Sequence, residues 1–551
     1  MSGGTPAHPR ATHLGDFQVR PRMLLIALLA VPVGAAASLA ALALLKLIGL
    51  ITNLVFYQRF DTALVAPGAT AHPWWLILSA PVAGALVIGL MARFGSEKIR
   101  GHGMPEAIEA ILTGESKVAP RVAVLKPVSA AVSIGTGGPF GAEGPIIMTG
   151  GAVGSILAQL LHLSADERKT LLVAGAAGGM AATFNAPLAS ILLAVELLLF
   201  EWRPRSFVPV AAAVLTSTLC RGFLLGTAPV FGLPAAPAPG PGAAVLALVP
   251  GITGGLLAIA ATALVYLAED GFARLPIHWM WWPAIGGLVI GVGGLVEPRA
   301  LGVGYDVIDQ LLTGQATTSL IIGVLVVKTL IWSLSLGSGT SGGVLAPVFM
   351  IGAALGAAEG GLLPHVSAGF WAVCGLAAVV GGVMRSPLTG IVFTLELTHA
   401  WNDLLPLVVA SVSAYAVSVL LLKRSVLTEK IARRRLHLTR EYTTDPLETF
   451  FAHEVMTANP EAGQALLARE GRTVCHPDDT LREVANKLAI GDVTQAVVVD
   501  RAEPAHVRGV ITLAQLLHAR RRDLHEEHHR ERVLAVTRIP VTPSSATSSK
   551  G

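Results

Sequence analysis

The segment Gly135-Thr-Gly-Gly-Pro-Phe-Gly-Ala-Glu-Gly-Pro-Ile-Ile-Met148 decides how the rest of the chain is read. Pro145 belongs at the first turn of a helix, and the apolar run from Ile146 continues that helix. A helix starting here presents backbone amides without intrahelical partners and the positive end of its dipole, which together attract anions. Glu143 stands at that mouth. A carboxylate in this position occupies the place of an anion and leaves when it is protonated or displaced. Two plainer readings stand beside this one: Glu143 pairs with a buried lysine, Lys126 or Lys328, and the glycines serve close helix packing, as they do in many membrane proteins.

Outward from this segment the chain repeats itself. Lys126, Ser133, Gly135, Gly137, Pro145, Gly150 and Gly154 recur 202 positions later as Lys328, Ser335, Gly337, Gly339, Pro347, Gly352 and Gly356. Gly175, Pro187-Leu188 and Glu196 recur 200 positions later as Gly375, Pro387-Leu388 and Glu396. Lys, Pro and Glu matching in order argue for two related halves, an architecture that puts substrate near the bilayer midplane between broken helices. The repeat supplies a second helix start at Gly342–Pro347, and Gly101-His-Gly-Met-Pro105 supplies a third. Three partial positive ends meeting in a low-dielectric site hold an anion without a full cation, which would trap it too tightly.

Composition places these segments in a membrane. The 551 residues are 53% hydrophobic and 14% charged, with mean hydropathy +0.63, whereas soluble proteins carry about 25% charged residues. Of 76 charged residues, 37 fall in positions 423–551. None lies in the 47 residues between Arg221 and Glu269, far more than the roughly 20 that cross a bilayer. The 59 Gly and 34 Pro imply broken helices around a water-filled or protein-lined cavity.

Arg10, Arg20 and Arg22 precede the first apolar run, and Lys423, Arg424, Lys430, Arg433, Arg434 and Arg435 follow the last. This predicts cytoplasmic termini, an even number of crossings and residence in the plasma or inner membrane. The same clusters account for the net charge of +4, so no nucleic-acid partner is expected. The run from Met23 to about Phe56 exceeds a signal peptide's core. Cys220, Cys374 and Cys475 fit neither a metal site nor a disulfide framework.

The expected architecture is an all-α polytopic membrane body followed by a small cytoplasmic α/β domain. Its parts are a cytoplasmic segment 1–22, a transport domain 23–435, a tail domain 436–532 and a disordered stretch 533–551. Within the tail, residues 472–520 read as strand Arg472–His476, a helix from Thr480 with a Thr480/Glu483 capping box, strand Gln495–Asp500, strand Val507–Ile511 and a further helix.

The ordered motifs Gly101–Pro105, Gly141-Ala-Glu-Gly-Pro145, Phe184-Asn-Ala-Pro-Leu188 with Glu196, and Gly343–Pro347 resemble the CLC family of chloride channels and proton/chloride exchangers over residues 23–435. The resemblance implies a homodimer in lipid with one anion pathway per subunit, inverted repeats, and Glu143 as the gating residue. It also implies an anion held by backbone amides near His102, Gly103, Ala142, Glu143, Gly144, Val344 and Leu345. The expected substrate is chloride or a related small anion.

Several departures bear on mechanism. His102 replaces the family's usual Ser, Ala142 its Arg, and the pore Tyr falls on Leu427, giving an apolar inner gate. The position of the exchangers' second glutamate, one after Glu196, is Leu197. A hydrocarbon cannot relay a proton, so the sequence leans toward a channel, with a proton-coupled exchanger as the alternative. Glu196, which has Glu396 as its mate, reads as structural rather than as a proton relay. His102 has two readings, a group titrating near neutral pH beside the anion and a neutral donor lining the vestibule. Lys126 and Lys328 likewise either add field to the pathway or pair and snorkel.

Two tail features complete the reading. His525-Glu-Glu-His-His529 is a literal zinc-protease pattern and makes a membrane metalloprotease the enzyme-class rival. It lies in the charge-dense run Arg520–Arg532 with only 22 residues after it, and no apolar scaffold surrounds it. Residues 472–520, with the lead-in Val455-Met456-Thr457, resemble one CBS motif. Gln515 stands where nucleotide-binding versions often place Asp, which speaks against a bound nucleotide there. No cofactor and no metal are expected. A receptor or scaffold would leave the paired helix ends and Glu143 unexplained.

Overall fold

The structure is a computed structural model and describes residues 21–234, 236–436, 446–468 and 473–521. Two compact units divide the chain, one over residues 19–440 and one containing the described residues from 446 onward.

The large unit is helical. Its first half comprises α1 (Arg22–Tyr57), α2 (Trp74–Phe94), α3 (Met104–Leu112), α4 (Pro120–Gly135), α5 (Glu143–Leu160), α6 (Ala165–Phe184), α7 (Pro187–Leu193) and α8 (Pro204–Leu224). The second comprises α9 (Pro241–Leu246), α10 (Leu248–Ala273), α11 (Trp282–Val296), α12 (Tyr305–Leu312), α13 (Thr318–Gly323), α14 (Thr329–Gly337), α15 (Leu345–Gly360), α16 (Phe370–Met384), α17 (Pro387–Thr398) and α18 (Leu404–Leu421). A short α19 (Val426–Arg433) closes the unit. Seven helical stretches among the described residues are long and apolar enough to cross a membrane, while shorter apolar helices run over Pro187–Leu199, Leu345–Gly360, Phe370–Met384 and Pro387–Thr398.

Proline sets many of the helix starts. It occupies the first turn of α3, α4, α7, α8, α9, α11 and α17, where its missing N–H costs no hydrogen bond. The abundance of proline in so apolar a body therefore marks a body cut into many separate starts. The internal repeat is carried into the fold element by element, with α3 matched by α12, α5 by α15, α6 by α16, and α7 with its π-helical continuation (Ala194–Leu199) by α17. Both α3 and α12 are entered through a glycine with positive φ, Gly103 at 87° and Gly304 at 79°, a conformation that glycine adopts without a steric penalty.

In the small unit, β1 (Val474–Cys475), β2 (Gln495–Val499) and β3 (Val507–Thr512) form one sheet, β1 parallel and β2 antiparallel to their neighbours β2 and β3. Around it lie α20 (Pro446–Thr449), α21 (Ala452–Val455), α22 (Pro460–Leu467), α23 (Leu481–Ile490) and a helix over 513–521. Cys475, Leu481, Val484, Leu488, Val498 and Ile511 share its core. Only half of the expected capping box forms: the Thr480 hydroxyl accepts the Glu483 amide, and Glu483 does not return the bond. The first strand covers Val474–Cys475 rather than 472–476. Arg472, the His525–His529 pattern and the stretch 533–551 lie outside the described residues.

Candidate functional site

The loops entering α5 and α15 run antiparallel and bond to each other: the Gly343 amide donates to Gly141 O at 2.8 Å, and the Gly141 amide to Gly343 O at 3.4 Å. Two equivalent loops, 202 residues apart, thus meet at one point. The Glu143 side chain, fully buried, lies in the slot between these glycines. A Cβ on Gly141 would collide with both carboxylate oxygens, and one on Gly343 would sit 2.5 Å from Oε1. Only glycine on both sides leaves room for the carboxylate.

The same Oε1 accepts the amides of Leu345 and Ala346, the latter at 3.0 Å. Leu345 begins α15 and is the repeat mate of Glu143 itself. The first half's carboxylate therefore occupies the positive end of the second half's helix, with hydrogen bonds to a charged acceptor that contribute about 1.5–3 kcal/mol each. Oε2 is buried without a protein partner. A group held by two amides at one oxygen and by nothing at the other is seated but replaceable, and a small anion offers the amides an equivalent acceptor.

The starts of α3 and α5 meet at the same place. A Cβ on Gly144 would strike the His102 carbonyl and lie 3.4 Å from Gly343 Cα, and one on Gly103 would lie 2.9 Å from Gly144 O. His102, Gly103, Ala142, Glu143, Gly144, Val344 and Leu345 thus belong to one cluster of three helix starts, all buried. His102 is 3% exposed and its Nδ1 has no partner.

The two lysines do something the sequence did not disclose. Lys126 Nζ donates to Ile99 O at 2.7 Å, Gly101 O at 2.6 Å and Ser341 Oγ at 3.2 Å. Lys328 Nζ donates to Ala300 O at 2.9 Å and Gly302 O at 2.6 Å. Each fully buried ammonium closes the turn that leads into α3 or α12. Among the described residues neither pairs with Glu143, so the reading of Glu143 as a lysine's partner does not describe this geometry. Carbonyl oxygens in a turn carry no sequence signature, which is why these acceptors were not legible.

Glu196 and Glu396 form a reciprocal arrangement. Glu196 accepts the Thr389 amide at 2.9 Å and the Thr389 hydroxyl at the start of α17. Glu396 accepts the Leu188 and Ala189 amides at 3.0 and 2.8 Å at the start of α7. Each carboxylate caps the other half's helix. Leu197, next to Glu196, is fully buried, as is Leu427 at the start of α19. Beside Leu427, the Tyr266 hydroxyl donates to Val426 O. The residue before Leu427 is therefore tied to a phenol from α10.

Sequence reasoning also passed over Glu106. Its side chain, 3% exposed, pairs with Arg434 at 2.7 Å and lies 3.7 Å from Lys430, fastening α3 to the end of α19. The available signal was an acidic residue directly after Pro105 in an apolar body, facing a basic run after the last long helix.

Fold and site together describe a polytopic membrane protein of two related halves whose broken helices converge around the Glu143 carboxylate. Residues 83–419 match the family model described as "Voltage gated chloride channel". The chain is 32% identical over 410 residues to an H(+)/Cl(-) exchange transporter ClcA of Citrobacter koseri, covering 71% of this chain and 85% of the relative. It is 29% identical over 385 residues to a putative chloride channel protein ClcB-like of Ralstonia nicotianae, covering 68% and 90%. Among solved structures, it resembles a slow cyanobacterial Cl-/H+ antiporter with TM-score 0.65 and 22% identity, covering 76% of this chain and 99% of that one. A CLC-type fluoride/proton antiporter gives 0.62 and 20%, covering 73% and 97%.

The chain belongs to the CLC family. It is an integral, multi-pass anion transport protein with the CLC fold. Members of this family are transporters or channels, so the metalloprotease alternative falls away; the motif that suggested it lies outside the described residues.

Proposed function

We propose that this protein exchanges chloride for protons across the membrane, with Glu143 serving both as gate and as proton carrier. The observation that carries the reading is the Glu143 carboxylate on the amides of Leu345 and Ala346, the seat an anion would take. One seat cannot hold a carboxylate and an anion together. Protonation removes the charge that holds the side chain there, the freed amides take chloride, and departure of the proton lets the carboxylate return. Anion and proton movement are coupled by this competition alone. The names of the ClcA relatives, at 31–33% identity, support exchange over passive conduction.

Leu197 favours the second reading, a channel. It is buried and apolar where an exchanger of this family would carry its second glutamate, so a proton leaving Glu143 toward that side needs water or another group. Reversal potentials of reconstituted protein under a proton gradient separate the two. A shift with the gradient supports exchange, and an unmoved potential with chloride current supports a channel.

On the same reading, the working unit is a homodimer in lipid, with one pathway per subunit, in the plasma or inner membrane and with both termini cytoplasmic. The segments are 1–22, the transport domain 23–435, the domain 436–532 and the tail 533–551. The small α/β domain serves a structural or regulatory role rather than nucleotide binding. Gln515 supports this: its Oε1 accepts the Thr512 amide at 2.8 Å and its Nε2 donates to Thr457 Oγ1 at 2.7 Å, so both ends of the side chain are engaged within the domain.

A further inference from the structure

We propose that the hollow between the end of α2 and the start of α4 binds the phosphate headgroup of an anionic phospholipid. Its level in the membrane follows from the helices. Arg93 lies in the last turn of α2, a helix long and apolar enough to cross a bilayer, and Trp279 opens another such stretch. A Cβ on Gly89 would collide with Met280 O, so these two ends lie side by side. On the other flank, a Cβ on Gly95 would sit 2.7 Å from Leu125 Cδ1 of α4. Glycines thus let three segments close around one hollow, at the depth where tryptophan settles beside lipid headgroups.

The hollow has a volume of about 430 Å³, and its walls include Arg93, Ser96, Lys98, Arg121 and Trp279, with one carboxylate, Glu97. Glu97 is spent on Arg100, which donates to it at 3.1 Å. Among the described residues, Arg93, Lys98 and Arg121 have no ion pair. Three like charges gathered around one concavity repel one another, a cost that a bound anion removes. A general excess of cations on one side of a membrane explains their number but not their convergence on a hollow. The other half shows that the frame does not need these charges. Ile99 and Ala300 accept equivalent lysines, so Lys98 and Arg299 are mates. Arg299 is used within the fold, bonded to Gln310 at 3.0 Å and to Asp306 at 3.2 Å, and the last turn of α11, Gly293–Val296, carries no charge.

The surface next to the hollow suits acyl chains. Val87, Leu90 and Phe94 form an outward stripe on α2, with Phe94 80% exposed, and Val124, 63% exposed, stands one turn beyond Arg121 on α4. Each of these neighbouring helices therefore joins an apolar outward face to an arginine at the hollow. The pattern fits an amphiphile: its phosphate between guanidiniums, which bind phosphate oxygens through paired N–H donors, and its chains along the apolar faces. Basic hollows between membrane helices suit anionic lipid headgroups for this reason.

The inference is independent of chloride and proton movement. Its test is thermal unfolding of the full chain in detergent, titrated with phosphatidylglycerol, phosphatidylcholine or inorganic phosphate. Phosphatidylglycerol should raise the unfolding midpoint saturably, and the other two should not. Arg93 and Arg121 are exposed, so Arg93→Gln with Arg121→Gln leaves the fold intact. That pair should weaken the apparent affinity for phosphatidylglycerol about tenfold or more, the combined scale of two cations at a membrane surface. Arg203→Gln with Arg205→Gln, which removes two cations from the start of α8, should leave it unchanged. An equal loss in this second pair would make the effect one of bulk charge and overturn the site. Native affinity in the first pair, stabilisation by inorganic phosphate alone, or no saturable effect of phosphatidylglycerol on the native chain would overturn it as well.

Discussion

The two halves of the membrane body use the same frame for different ends. Where they build scaffold, they keep the same residue: Lys126 and Lys328 close equivalent turns, and Glu196 and Glu396 cap each other's helices. Where they meet at the seat, they differ. Glu143 faces Leu345, and His102 corresponds to Val303. The first half contributes the ionisable side chains and the second half the amides that receive one of them. Duplication supplies two helix ends, and the asymmetry between them seats one half's carboxylate on the other half's helix start.

The lysines give the largest expected effect on the frame. Removing either ammonium leaves buried carbonyls without donors, a loss of about 3 kcal/mol or more. Lys126→Met should cost more than Lys328→Met, because Lys126 serves three acceptors and Lys328 two. Thermal unfolding in detergent measures both. A neutral Lys328→Met would break the equivalence of the two turns.

A smaller effect sharpens the same comparison. Glu196→Gln and Glu396→Gln should each destabilise by about 1 kcal/mol, the scale of a helix cap with its charge, and to a similar degree. If Glu196→Gln abolished proton movement while leaving stability intact, and Glu396→Gln did not, Glu196 would be part of a proton path and the symmetry would be only geometric.

The sequence disclosed the seat more fully than the frame. Glycines around Glu143 and a proline after it mark a helix start, and the 202-residue echo supplies its counterpart at Leu345. Both are local patterns, and local patterns survive in sequence. The lysine acceptors, the Tyr266 contact with Val426 and the Glu106–Arg434 pair are products of long-range folding. A polar side chain's partner 25 to 328 residues away leaves no trace in periodicity.

In the proposed mechanism the Glu143 carboxylate and the transported anion compete for the amides of Leu345 and Ala346. Chloride binding to purified protein, measured by calorimetry for the native chain and for Glu143→Ala and Glu143→Gln, tests this directly. Removing the competing charge should tighten chloride binding in both variants and abolish its dependence on pH. Native-like affinity with native-like pH dependence in both would contradict it.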